Sequence, residues 1–168
     1  MIAPEDQLGV IARYREGPAL LEDAVLGLTD ADLDAAPSGG GWTIRQIVHH
    51  LADGDDIWKL CIKMAVGIER AEFTLGWYRG VPQLTWGDRW AYGQRSVGAS
   101  LSLLKASRSH ILQLLENVPD AWNRVAVVRK PDGETEQVPV GFVVQMQADH
   151  LVLHVKRIRG ILRERGGV

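Results

Sequence analysis

The chain has 168 residues, of which 46% are hydrophobic and 24% charged, the composition of a folded globular protein long enough to bury a core. Its net charge of −2 gives no electrostatic reason to expect nucleic acid or an anionic membrane as a partner, and its single cysteine, Cys61, excludes an internal disulfide. The length fits a single domain over residues 1–168.

In chain order, the acidic opening Met1-Ile2-Ala3-Pro4-Glu5-Asp6 lacks the apolar run of a signal peptide, and no later segment approaches membrane-spanning length. A cytoplasmic protein is the expectation. Pro4 and Glu5 predict the start of a helix that carries Leu8, Ile11 and Ala12 inward. Gly17-Pro18 is expected to interrupt it. A second helical piece then runs from about Pro18 to Leu26, with the proline in the first turn, where a missing N–H does no harm. Thr29-Asp30 reads as the N-cap of a short turn through Leu33, and Ala36 to Gly41 as a loop.

Thr43 and Gln46 have capping-box spacing and open a second long helix, to about Arg70. Its apolar positions, among them Ile44, Ile47, Leu51, Trp58, Ile62 and Ala65, suit packing on more than one neighbour. Cys61 lies on this apolar side as an inert buried thiol. From Phe73 to Trp90 the periodicity stops at Gly76, Gly80, Pro82 and Gly87, while Trp77, Tyr78, Trp86 and Trp90 concentrate there. This is a long connection with aromatic anchors, of the kind that crosses a bundle or lines a site. Core packing is the expected role for Trp58, Trp86 and Trp90, with a pocket wall as the alternative. A third helix runs from about Tyr92 to Asn117 and stops at Val118-Pro119-Asp120. Trp122 to Val128 and Glu136 to Val140 alternate on either side of Pro131-Asp132-Gly133, which predicts a β-hairpin. The last helix, about Gly141 to Arg165, spreads apolar residues from Phe142 to Leu162 around most of its circumference, Leu153 included, and should be largely buried. Arg157, Arg159, Arg163 and Arg165 suit the negative end of its dipole.

The chemistry points to histidine. At 3.6 residues per turn His50 shares a face with Ile47, Ile57, Cys61 and Met64 and should look inward. His49 lies about 100° away, beside Arg45, Asp56 and Lys63, and should face water, as should His110. His150 and His154, four residues apart in the last helix, project from one face together with Val143 and Met146. An imidazole buried without a partner costs roughly 1–3 kcal/mol. Three neutral imidazoles facing inward from two helices would satisfy one cation and be satisfied by it. Three independently packed core histidines are the alternative. Asp53, three residues after His50, is either an acceptor that orients an imidazole, a general base, or a solvated carboxylate favoured by the helix dipole. Asp149 should project sideways into a salt bridge.

Trp42-Thr43-Ile44-Arg45-Gln46-Ile47-Val48-His49-His50-Leu51-Ala52-Asp53, with Asp149-His150-Leu151-Val152-Leu153-His154, resembles the DinB-like superfamily, and within it the YfiT-type branch of metal-dependent hydrolases. The resemblance implies an all-α fold, a four-helix bundle with a crossover connection, here with the small β-hairpin before the last helix. It also implies a divalent metal ion, nickel or zinc, held by residues matching His50, His150 and His154. The expected function is a metal-dependent enzyme acting on a small-molecule substrate, a hydrolase that activates water with Asp53 as the candidate base. One alternative is an S-transferase using a low-molecular-weight thiol such as bacillithiol or mycothiol. The other is a non-catalytic, metal-binding, stress-associated bundle. The sequence also permits a homodimer.

Overall fold

Four long helices make the frame: α1 (Pro4–Val25), α3 (Ile44–Gly67), α6 (Val97–Asn117) and α7 (Val140–Gly166). The coordinates come from a computed structural model that describes residues 4–166, so the first three residues of the acidic opening lie outside it. The cap predicted at Thr29 forms, with a full capping box on the short α2 (Asp30–Leu33), and Thr43 and Gln46 cap α3 in the same reciprocal way. Among the described residues no helix is long and apolar enough to cross a membrane.

Residue contacts give the direction of each helix. His49 meets Ser100 and Asp55 meets Arg108, so α3 and α6 run parallel. Asp55 meets Gln147 and His50 meets His150, so α3 and α7 run antiparallel. Arg15 meets Glu116 and Glu22 meets Lys105, which sets α1 antiparallel to α6. The order is therefore up, down, down, up. Two parallel neighbours cannot be joined by a tight turn, and the stretch after α3 has to return along the bundle before α6 begins.

That return explains why the region from Phe73 to Trp90 is not the plain connection expected. It holds β1 (Glu72–Thr74) and two short helices, α4 (Gly76–Arg79) and α5 (Gln83–Arg89). The predicted hairpin is present as β2 (Val125–Arg129) and β3 (Thr135–Pro139), paired antiparallel with Val127 opposite Gln137. β1 adds to it in parallel, Phe73 opposite Val128. Because α3 and α6 end on the same side of the bundle, the strands that follow them start side by side. The aromatic anchors pack together: Tyr78 stacks on Trp86 at 5.7 Å between ring centroids and Trp90 lies tilted against Trp86 at 4.8 Å, with the Trp86 indole N–H donating to the Tyr78 carbonyl at 2.8 Å.

Three expectations for the helices are corrected. First, Leu8, Phe142 and Leu153 are exposed, and the inward face of α1 is Val10, Tyr14, Leu21 and Val25. Second, Gly17-Pro18 does not divide α1, which is continuous. Proline removes the N–H that the Tyr14 carbonyl would accept. Arg108 of α6 replaces it, donating from Nη1 to that carbonyl at 3.1 Å. A Cβ at Gly17 would lie 2.4 Å from Arg108 Nη1, so glycine is what lets the guanidinium approach. Third, the helix expected from Tyr92 starts at Val97, behind a single 3-10 turn over Tyr92–Gln94.

The core has two apolar clusters. One joins the sheet to Tyr14, Cys61, Ile62, Ile111 and Val144; the other gathers Leu21, Ile44, Leu51, Leu104 and Val155. Between them lies a buried polar layer. Arg108 donates to Asp55 at 2.6 and 3.3 Å and to the Gln147 carbonyl at 2.9 Å, and its guanidinium sits 4.5 Å from the Tyr14 ring centre. One side chain thus links all four long helices.

Candidate metal centre

Local sequence places each imidazole. The α3 cap at Thr43 sets the phase that turns His50 inward. The four-residue spacing on α7 sets the His150 and His154 rings edge to face, with ring centres 4.6 Å apart. Their Nε2 atoms converge. His50 Nε2 lies 3.2 Å from His150 Nε2, and His154 Nε2 lies 3.1 Å from the same atom. The three ring nitrogens form a group that could hold a metal ion. Gly40 and Gly41 precede them with φ of 81° and 123°, which L side chains rarely adopt, and lead into Trp42. The Trp42 ring packs 4.2 Å from that of His50, centre to centre, and stacks on His154 at 6.2 Å.

Simple packing does not account for this geometry. One ring nitrogen presents either one N–H or one lone pair, so His150 Nε2 cannot bond well to two neighbouring nitrogens at once. The rings are not charged against one another either. Burial, then the neighbouring imidazoles and Arg157, push His50 down to about 2. Burial, then His150 and Arg157, push His154 down to about 3. Burial first, with Arg108 and Arg157 behind it, also lowers His150. The lone pairs are therefore free at neutral pH. Two nitrogens on one tetrahedral zinc, at bonds of about 2.0–2.1 Å, sit roughly 3.3–3.4 Å apart, close to the separations here. The donor set fits a divalent ion.

The imidazoles stand in the wall of a cavity of about 870 Å3, which Trp42, Trp58, Tyr78, Gln147 and Arg157 also line. Trp58 thus combines core packing with a pocket wall, whereas Trp86 and Trp90 only pack against the core.

The other candidate residues fall as follows. Asp53 is bonded to none of the three imidazoles; its carboxylate accepts the Tyr92 hydroxyl at 2.6 Å, with Arg95 Nη1 at 3.9 Å. Asp149 pairs with Arg13 at 3.5 Å on the surface, as expected. Cys61 is buried and its thiol is pushed up to about 12 by burial, which keeps it inert. His110 is exposed. His49 is the clear correction: expected in water, it is fully buried. Its Nε2 faces the Arg95 carbonyl at 3.1 Å and its Nδ1 faces the Ser100 hydroxyl at 2.8 Å. Arg45, on the same side, is buried too, donating to Asp34 at 2.6 Å and Asp30 at 2.7 Å. The start of α6 and the carboxylates of the α2 turn cover a side of α3 that looks polar in isolation.

Sequence reasoning passed over the Arg108–Asp55–Gln147 layer and the cavity position of Arg157. The signal for the first was an arginine at position 108 in register with Leu104 and Ile111. Nothing local marked Asp55 as its partner.

A family model described as the DinB superfamily matches residues 13–158. A protein of Geobacillus thermodenitrificans, provisionally named a metal-dependent hydrolase, is 26% identical over 162 residues, covering 96% of this chain and 87% of its own. The solved structure of YfiT from Bacillus subtilis, described as a probable metal-dependent hydrolase with an unusual four-helix bundle topology, matches with a TM-score of 0.84 at 27% identity, over 99% of this chain and 91% of that one. A mycothiol-dependent maleylpyruvate isomerase shares the fold at a TM-score of 0.65 and 16% identity, over 94% of this chain and 63% of that one.

Proposed function

The chain belongs to the DinB superfamily, and on that footing we propose that His50, His150 and His154 hold a divalent metal ion, nickel or zinc, at which a small molecule is hydrolysed. The convergence of three neutral imidazole nitrogens on one point of a cavity wall carries this reading. Three protein ligands leave a coordination position open, which is the catalytic rather than the structural arrangement. An ion bound there supplies Lewis acidity toward water or a substrate oxygen.

The chain's own residues supply the rest. Arg108 and Asp55 hold α3 against α7 beside the imidazoles, so the ligands from the two helices keep their separation. Trp42 covers His50 and His154 and limits the approach of water from that side. Asp53 neither lines the cavity nor bonds an imidazole, and its carboxylate accepts the Tyr92 hydroxyl, so the proposal gives it no part in activating water. The carboxylate in the cavity wall is Asp55, and Arg108 holds it.

Metal analysis of untagged, freshly isolated protein, followed by ester and amide panels, tests the proposal. One equivalent of nickel or zinc and turnover that is lost on chelation are expected. Thiol transfer is the second reading, supported by the fold shared with the mycothiol-dependent isomerase. Turnover only of electrophiles, and only with added thiol, would establish it in place of hydrolysis.

A further inference from the structure

The cavity wall carries one arginine and no lysine. Arg157 is exposed, lines the cavity, and among the described residues makes no ion pair. It lies three residues after His154 and seven after His150, on the same stripe of α7. Its charge reaches all three imidazoles, helping to disfavour their protonation. The two carboxylates in the wall differ. Arg108 neutralises Asp55, whereas Glu164, two turns beyond Arg157, keeps its charge and accepts the Ser38 backbone N–H at 3.0 Å. Much of the remaining wall is apolar or aromatic, with Trp42, Trp58, Leu84 and Met146 facing the space. Neutral imidazoles add no negative charge, so any dication they hold keeps its own charge in full. A guest therefore meets a guanidinium without an ion-pair partner, apolar and aromatic surface beside it, and the Glu164 carboxylate two helical turns further along α7.

We propose that the cavity selects small molecules bearing a carboxylate, which docks on the Arg157 guanidinium while the apolar remainder lies against Trp42 and Trp58. A single planar guanidinium matches a carboxylate through two parallel N–H donors. A phosphate dianion calls for more donors, and no second lysine or arginine lines this space. The inference rests on the proposed metal function only in treating the anion as a substrate. The docking itself is independent of the ion.

Calorimetry at pH 8 with hippurate, and with its neutral analogue hippuramide, tests it on metal-stripped and on zinc-loaded protein. Hippurate should bind wild type about tenfold or more tighter than hippuramide in both forms, and added salt should weaken only hippurate. In the metal-stripped form, Arg157→Gln should reduce that preference to less than about twofold, and Arg157→Lys should retain part of it through its charge. Circular dichroism should show both variants folded, since the side chain is exposed. In the metal-stripped protein, equal affinity for acid and amide, an acid preference that survives in Arg157→Gln, or no hippurate binding would overturn the assignment. Displacement of hippurate by inorganic phosphate at lower concentration than by acetate would overturn the choice of carboxylate. None of these outcomes depends on zinc binding, so a failure of the metal reading appears separately, as a lack of bound zinc.

Discussion

His49 and His50 are consecutive, both buried, and chemically opposite. The Arg95 carbonyl can only accept, so His49 Nε2 carries the proton and Nδ1 accepts from the Ser100 hydroxyl. His49 is a neutral strut between α3 and α6, and burial lowers its pKa. His49→Ala should therefore leave metal content unchanged and cost about 1–3 kcal/mol in urea unfolding, through two polar groups left unpaired. His154→Ala should bring metal below half an equivalent by mass spectrometry. Equal metal loss in both variants would remove the distinction drawn between the two histidines. The depressed imidazoles also set a pH dependence in the metal-free protein. The unfolded chain takes up protons below about pH 6.5, while His50 and His154 stay neutral in the fold down to about 2 and 3. More protons bind the unfolded state, so stability falls as pH drops from 7 to 4, approaching about 1.4 kcal/mol per unit for each imidazole. His50→Gln should flatten that decline in urea midpoints measured across the range.

At the scale of the element, α1 and α6 explain each other. A proline in mid-helix ordinarily costs about 3 kcal/mol, in part through the carbonyl it leaves unbonded. Here the orphaned Tyr14 carbonyl is an acceptor for Arg108, and Gly17 makes room for the guanidinium. Removing the cation would leave Asp55 buried and unpaired. Arg108→Met should accordingly destabilise by about 3–5 kcal/mol, and adding Asp55→Leu should restore much of the loss. Gly17→Ala should cost about 1–3 kcal/mol by crowding Arg108. Denaturant melts of these proteins, with Asp55→Leu alone completing the cycle, check this, and an additive double variant would show that no ion pair operates between the two side chains. The sequence supported the opposite expectation, an interrupted α1, because proline's cost is local while its relief comes from a residue about 90 positions away.

For the whole molecule, the up-down-down-up order brings α3 and α7 together antiparallel, and this alone makes residues 50 and 150 neighbours. An ion bound there would bridge both helices. Zinc at one hundred times its dissociation constant should stabilise the fold by about 2.7 kcal/mol, and so raise the melting temperature by roughly 5–11 °C. His150→Ala should abolish that rise in calorimetric scans. The same order dictates the features that the sequence did not disclose. β1 is three residues long with no pattern of its own, and is a strand because β2 happens to start beside it. Arg45 and His49 read as a polar face until the α2 turn and the start of α6 cover them. What the sequence determined by itself is what depends on neighbours within a turn or two: the capped starts of α2 and α3, the stop at Val118-Pro119, the hairpin about Asp132-Gly133, and the shared face of His150 and His154. Periodicity and capping are short-range, so they can be read along the chain. Which polar groups are buried, and against what, was decided only by tertiary packing, because the partner that makes burial tolerable is supplied from a distant segment.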